Sequence, residues 1–166
     1  LAVFFLESNP IMNYPSLDRT WIFVNGELPY PKALSALIKP EDTLIAADGG
    51  ARHLMNMGRV PHVLVGDLDS LTSEEVESLK AQNCKVWRFP GDKDWTDLEL
   101  TLNYALDREF KSIRLAAAAG GRIDQQMANI YLLTRPDLAN LDIALDDGAE
   151  EIFLIGQQRT VYGQAG

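Results

Sequence analysis

The chain predicts an α/β fold: a three-layer α/β/α arrangement around a mostly parallel sheet. Three observations carry this. Short apolar runs alternate with helical patterns over most of the 166 residues, as in strands joined by crossover helices. The runs are almost continuously apolar, as in strands buried on both faces. Turn residues rich in Asp and Gly then close several runs at one end, the carboxyl end, where open α/β sheets bind ligands.

Residues 1–19 contain Pro10 and Pro15 and read as an N-terminal extension packed on the domain. Residues 21–24 form the first strand, with Asn25-Gly26 as its turn. Pro31 suits the first position of a helix running to residue 38, which stops before Pro40. A strand over 43–47 leads to a helix over 51–57 that Gly58 closes. The strand 63–65 precedes a helix over 73–82, opened by a Thr72–Glu75 capping box, with Val76 and Leu79 inward. Residues 85–89 are the next strand. Leu98, Leu102, Ala105 and Leu106 recur at helical spacing across 96–110, and Thr96 with Glu99 forms a second capping box. A strand over 112–116 and a helix over 123–134, ending before Pro136, complete a Rossmann-like alternation. The strands 141–145 and 151–155 have only Asp146-Asp147-Gly148-Ala149 between them, too short for a crossover helix, so antiparallel structure begins there. The expected organisation is an extension over 1–19, an α/β domain over 20–147, and the start of a β-rich domain over 148–166.

The formal charge of −9 and pI near 4.6 argue against a nucleic-acid partner or an anionic membrane surface. They suit a site that recruits a cation first and phosphates second. Cys84 is the single cysteine, so no intramolecular disulfide forms, which fits a reducing, cytoplasmic setting. It reads as a buried small apolar residue rather than a nucleophile. The opening Leu1-Ala2-Val3-Phe4-Phe5-Leu6 is too short to span a bilayer and lacks a basic flank, so no secretory signal is expected.

Four predicted strand ends supply acids. Gly66-Asp67-Leu68-Asp69-Ser70 follows the 63–65 strand, and Asp48-Gly49-Gly50-Ala51 follows 43–47. Asp92, Asp94 and Asp97 follow 85–89, and Gly120-Gly121-Arg122-Ile123-Asp124 follows 112–116. Two acids one residue apart repel unless a cation lies between them, and a divalent ion carrying phosphate oxygens meets that need. The plainer reading of 66–70 is an Asp-rich turn before a helix. Gly49-Gly50 and Gly120-Gly121 precede helices and either hold phosphate oxygens on backbone N–H groups or serve as turn glycines. Arg122 either grips phosphate or pairs with Asp124. Asp94 and Asp97 flank Thr96 at a helix start, where the dipole favours an acid. His53 and His62 lack ligand spacing, Ser70 has no triad, and Trp87 and Trp95 read as packing residues. Neither a Walker loop nor a Gly-x-Gly-x-x-Gly string is present.

Four strings in order resemble the thiamine pyrophosphokinase family: Ala47-Asp48-Gly49-Gly50-Ala51, Gly66-Asp67-Leu68-Asp69-Ser70, Asp94-Trp95-Thr96-Asp97 and Gly121-Arg122-Ile123-Asp124-Gln125. They cover roughly residues 20–156. The resemblance implies pyrophosphoryl transfer from ATP to the thiamine hydroxyl, with AMP leaving. It implies Mg²⁺ on Asp67, Asp69 and Asp97, with Asp48 and Asp94 nearby. Gly49, Gly50, Ser70, Thr96, Arg122, Asp124 and Gln125 fall in the nucleotide-binding set, and Gln125 stands where many bacterial members carry His. It further implies a cytoplasmic homodimer whose thiamine site involves a β-sandwich domain, most of which lies beyond Gly166. Three alternatives accompany it: a pyrophosphokinase for another alcohol such as a hydroxymethyl pterin, a phosphatase with Asp67 as nucleophile, and a non-catalytic nucleotide-binding or dimerisation module.

Overall fold

In the computed structural model, which describes residues 2–7, 19–89 and 95–155, fifteen elements follow one another. They are β1 (Ala2–Glu7), β2 (Arg19–Phe23), α1 (Pro31–Leu37), β3 (Thr43–Ala47), a 3-10 turn (Asp48–Gly50) and α2 (Ala51–Asn56). Next come β4 (Val63–Gly66), α3 (Ser73–Ala81), β5 (Lys85–Arg88), α4 (Asp97–Asp107) and β6 (Ser112–Ala116). The last are α5 (Ile123–Leu132), a second 3-10 turn (Pro136–Leu138), β7 (Asp142–Asp146) and β8 (Glu150–Ile155). Among the described residues, no helix is long and apolar enough to cross a membrane.

One eight-stranded sheet runs in the order β1-β8-β7-β6-β2-β3-β4-β5. The six strands from β7 to β5 are parallel, and β8 and β1 add antiparallel at one edge. Side chains alternate between two cores. Ile22, Ile45, Val65, Ile113, Leu115 and Ile143 meet Leu98, Leu102 and Ala105 of α4 on one face. Trp21, Phe23, Leu44, Ala46 and Leu64 meet Leu34 of α1, Leu54 of α2 and Leu79 of α3 on the other. The handedness of βαβ crossovers explains the split. The chain steps outward from β2 to β5, then returns past β2 to β6 and β7. A right-handed connection going the opposite way lies on the opposite face, so α4 sits across β3 and β4 from the other side.

Most elements fall where the sequence places them, with ends shifted by one to three residues. Helix α4 is shorter than the expected 96–110 because Thr96 is its cap, and the chain turns at Glu109, whose φ is +59°. Both capping boxes form as expected. At the edge, residues 2–7, expected in an extension, pair along β8. Strand β8, expected to open a β-rich domain, makes the antiparallel switch but within the same sheet. Residues 156–166 lie outside the described residues.

A buried ionic pair group helps bind that edge. Arg114 on β6 is 1% exposed and reaches Asp142 of β7 at 2.9 Å and Glu151 of β8 at 3.4 Å. Its guanidinium also donates to the Asp142 carbonyl at 3.1 Å. Removing one partner of a buried pair strands the other charge. Arg114→Ala is therefore expected to lower unfolding free energy by roughly 3–5 kcal/mol in a denaturant titration, whereas exposed Lys80→Ala changes it by under ~1 kcal/mol.

Candidate functional site

The strand β3 ends in Asp48, which is 3% exposed and sits in the left-handed region at φ +44°. Its Oδ1 is buried without a hydrogen-bond partner among the described residues. Burying an unpaired carboxylate oxygen is costly, and native structures do so where an ion or ligand completes the site. The following glycines answer to packing. A Cβ on Gly50 would stand 2.0 Å from the Phe23 carbonyl oxygen, and one on Gly49 2.5 Å from the Asn25 amide. Both let the 3-10 turn lie directly on the end of β2.

The strand β4 ends in Gly66, at φ +147°, where a Cβ would press within 3.1 Å of both Asp48 Cβ and Asp97 Oδ1. Glycine there leaves the space into which the two acids converge. Asp67 is half-buried and turned to them. Leu68, at φ +67° and 8% exposed, is driven into the core beside α3, and this flips Asp69 outward to solvent. The Asp69 N–H donates to Asp67 Oδ1 at 3.1 Å. Ser70 Oγ donates to Asp69 Oδ1 at 3.3 Å and accepts from Asn25 Nδ2 at 3.4 Å.

The third acid comes from the first turn of α4. Thr96 caps the helix through the Glu99 N–H at 3.3 Å, and Glu99 Oε2 accepts from the Thr96 N–H at 2.8 Å. Because α4 crosses β4 and β3, its first residue, Asp97, arrives beside their ends. Oxygens of Asp48, Asp67 and Asp97 all lie within 4.8 Å of one another. Burial, then the charges of Asp48 and Asp67, push the Asp97 carboxyl up to about 6, although the Asp67 N–H donates to it. Three hard oxygen donors at this spacing, from residues that include the buried Asp48, fit a divalent cation such as Mg²⁺.

The ligand set expected from resemblance was Asp67, Asp69 and Asp97. The geometry instead gathers Asp48 with Asp67 and Asp97, and Asp69 stands outside that group, exposed. Asp94 lies outside the described residues. Arg122 and Asp124 form a two-pronged pair with each other, Nε to Oδ1 at 3.1 Å, at 81% and 64% exposure. That pairing holds the Asp124 carboxyl below its usual range and raises Arg122. Gln125 Nε2 donates to Asn129 Oδ1 at 3.1 Å, and Asn129 Nδ2 to the Ala118 carbonyl at 2.8 Å, which ties α5 to the loop after β6.

His53 and His62 act structurally, as their spacing suggested: His53 Nε2 lies 2.9 Å from the Gly26 carbonyl, and His62 Nδ1 accepts from the Leu44 N–H at 2.9 Å. Burial pushes the Cys84 thiol up to about 11, so it stays protonated. Trp87 packs edge-on to Tyr104 at 5.4 Å, yet it and Trp95 are half-exposed rather than core. Sequence reasoning missed two residues. Arg88 closes β5 and donates from Nε to the Asp67 carbonyl at 3.2 Å. Asn25, read only as a turn residue, supports Ser70 across the rim. Their positions at the carboxyl ends of strands, Arg88 as the last residue of β5 and Asn25 just past β2, were the available signal.

A family model described as thiamin pyrophosphokinase, catalytic domain, matches residues 34–145, a span holding all three clustered acids. The thiamine pyrophosphokinase of Bacillus subtilis (strain 168) is 34% identical over 113 residues, 68% of this chain and 53% of that protein. The crystal structure of a thiamin pyrophosphokinase family protein from Enterococcus faecalis superposes with a TM-score of 0.65 at 30% identity, covering 77% of this chain and 61% of the other. The Bacillus subtilis thiamine pyrophosphokinase structure gives 0.65 at 29% identity, over 77% and 60%. The chain thus spans about half to three-fifths of the length of these relatives. With the match running through β3, β4, α4 and β6, the chain belongs to the thiamin pyrophosphokinase catalytic-domain family.

Proposed function

We propose that this chain carries the nucleotide and metal site of an enzyme that transfers pyrophosphate from ATP to the hydroxyl of thiamine, releasing AMP. The observation that carries the reading is the gathering of Asp48, Asp67 and Asp97 oxygens within 4.8 Å, at an Asp48 whose Oδ1 is buried and unpartnered among the described residues. Membership of the family supports thiamine as acceptor. The homodimer and cytoplasmic location expected from the resemblance belong to the same proposal; a lone, buried Cys84 accords with a reducing compartment.

Asp48, Asp67 and Asp97 would hold Mg²⁺, which supplies charge neutralisation of the transferring phosphates. Asp69, exposed beside this group, would receive the proton of the attacking hydroxyl. The capping box of α4 and the closely packed glycines keep the acids in place before the nucleotide arrives, so little reorganisation is left to the reaction. Arg88 bears on the Asp67 carbonyl and steadies the acid loop. The transfer then consists of holding the attacking hydroxyl in line with the β-phosphorus while AMP departs.

Asp48→Asn and Asp97→Asn should each reduce thiamine-dependent AMP release by about a hundredfold or more and remove Mn²⁺ binding, followed by paramagnetic relaxation of water. Full turnover in either variant contradicts the proposal. A panel of alcohol acceptors with Mg²⁺ and ATP should single out thiamine, and preferential turnover of a hydroxymethyl pterin would reassign the acceptor.

The pH dependence has a definite sign. Asp97 in the folded, metal-free protein titrates at about 6, above its ordinary 3.8, so the folded state binds the proton more tightly. Its contribution to stability is full below about pH 4 and is lost as pH rises through about 6. Asp146, raised by burial to about 6, adds the same trend. Melting in EDTA should therefore weaken between pH 4 and 6, less so in Asp97→Asn, and Mg²⁺ should restore the lost stability only above about pH 6.

A further inference from the structure

The loops after β2 and β6 are zipped together at the point where successive connections leave in opposite directions. The Val24 N–H donates to the Ala116 carbonyl at 2.9 Å and the Gly26 N–H to the Ala117 carbonyl at 3.1 Å. A Cβ on Gly26 would stand 2.3 Å from the Ala117 oxygen, so only glycine permits this approach. The zip delivers Glu27 to the flank of Gly120-Gly121, which lie at φ +96° and +73°. Positions for a Cβ on these glycines are 3.3 Å from Glu27 Cβ and 3.7 Å from Glu27 Oε1, respectively. Glu27 is exposed and makes no hydrogen bond or ion pair among the described residues.

A free carboxylate along one side of Gly120-Gly121 repels phosphate, so this glycine pair does not serve as the phosphate cradle that its position before α5 suggested. It selects a hydrogen-bond donor instead. The crevice between β2 and β6 is the topological switch point of the sheet, the place where nucleotides lie in such folds. The acid cluster stands at the ends of β3 and β4, one and a half to two and a half strand spacings away, about 7–12 Å. A nucleotide whose phosphates reach that cluster sets its ribose over the crevice. We infer that Glu27 accepts a hydrogen bond from a ribose hydroxyl of the nucleotide and makes the site selective for ribonucleotides, an assignment that rests on the nucleotide reading above. A carboxylate that loses its hydroxyl partner on binding is left desolvated, which penalises deoxynucleotides.

The test is calorimetric binding of ATP, 2′-deoxy-ATP and 3′-deoxy-ATP with Mg²⁺ to the wild type, Glu27→Ala and Glu27→Gln. The wild type should prefer ATP over at least one deoxy analogue by about ten- to hundredfold. Glu27→Ala should bind all three alike, more weakly than the wild type binds ATP but at least as tightly as it binds the deoxy analogue it rejects, with Mn²⁺ affinity unchanged. Glu27→Gln, which keeps an acceptor oxygen, should restore part of the preference, an outcome that a merely structural loop residue would not produce. Equal affinity of the wild type for the three nucleotides overturns the inference. So does an equal loss for all three in Glu27→Ala, or a change confined to the KM of the cationic acceptor. Failure of wild-type protein to bind any nucleotide, with Mn²⁺ binding lost as well, would instead remove the underlying reading.

Discussion

Electrostatic repulsion among three carboxylates is the constraint around which the rim is organised. Asp48, Asp67 and Asp97 come from three separate segments and are brought within 4.8 Å, one of them with a buried oxygen that no described residue satisfies. In a metal-free protein this arrangement opposes folding, and the upward displacement of Asp97 to about 6 expresses the cost. The fold meets that cost with rigid backbone. Gly66 clears the space, Gly49 and Gly50 seat the turn on β2, and a complete capping box fixes the start of α4. Left-handed residues at Asp48 and Leu68 add local strain in the same loops. Strain and repulsion held at one rim are what a preorganised cation site requires.

Topology supplies the convergence. Because β2 is central and the chain builds outward to β5 before returning to β6, α4 has to cross β4 and β3 on the face opposite α1, α2 and α3. Its first turn therefore lands beside the ends of strands far from it in sequence. The same reversal opens the crevice between β2 and β6, where the Gly26 contact sets Glu27 against Gly120-Gly121. Acid cluster and crevice are two consequences of one connection.

Much of this was legible in the chain. Apolar runs located the strands because parallel strands are buried on both faces and admit few polar residues. Capping boxes at Thr72 and Thr96 marked two helix starts, since those hydrogen bonds are local and need no tertiary partner. Acids at strand ends announced an acidic rim. Less legible was which acids meet. Asp67 and Asp69 look equivalent in a string, yet the buried Leu68 between them sends one inward and the other to solvent. For Arg122 the chain left two roles open, phosphate or Asp124, and the structure shows Asp124 in its fork.

Local chemistry, then, was written in the residue order: element type, helix caps, the alternating architecture and the presence of an acidic rim all depend on neighbours within a few positions. The long-range pairings were not. The convergence of Asp48 with Asp67 and Asp97, the burial of Arg114 between Asp142 and Glu151, the membership of β8 in the main sheet and the approach of Glu27 to Gly120-Gly121 each join segments distant in the chain. Such contacts are decided by strand order and crossover handedness, which a linear pattern of apolar and polar residues restricts but does not encode.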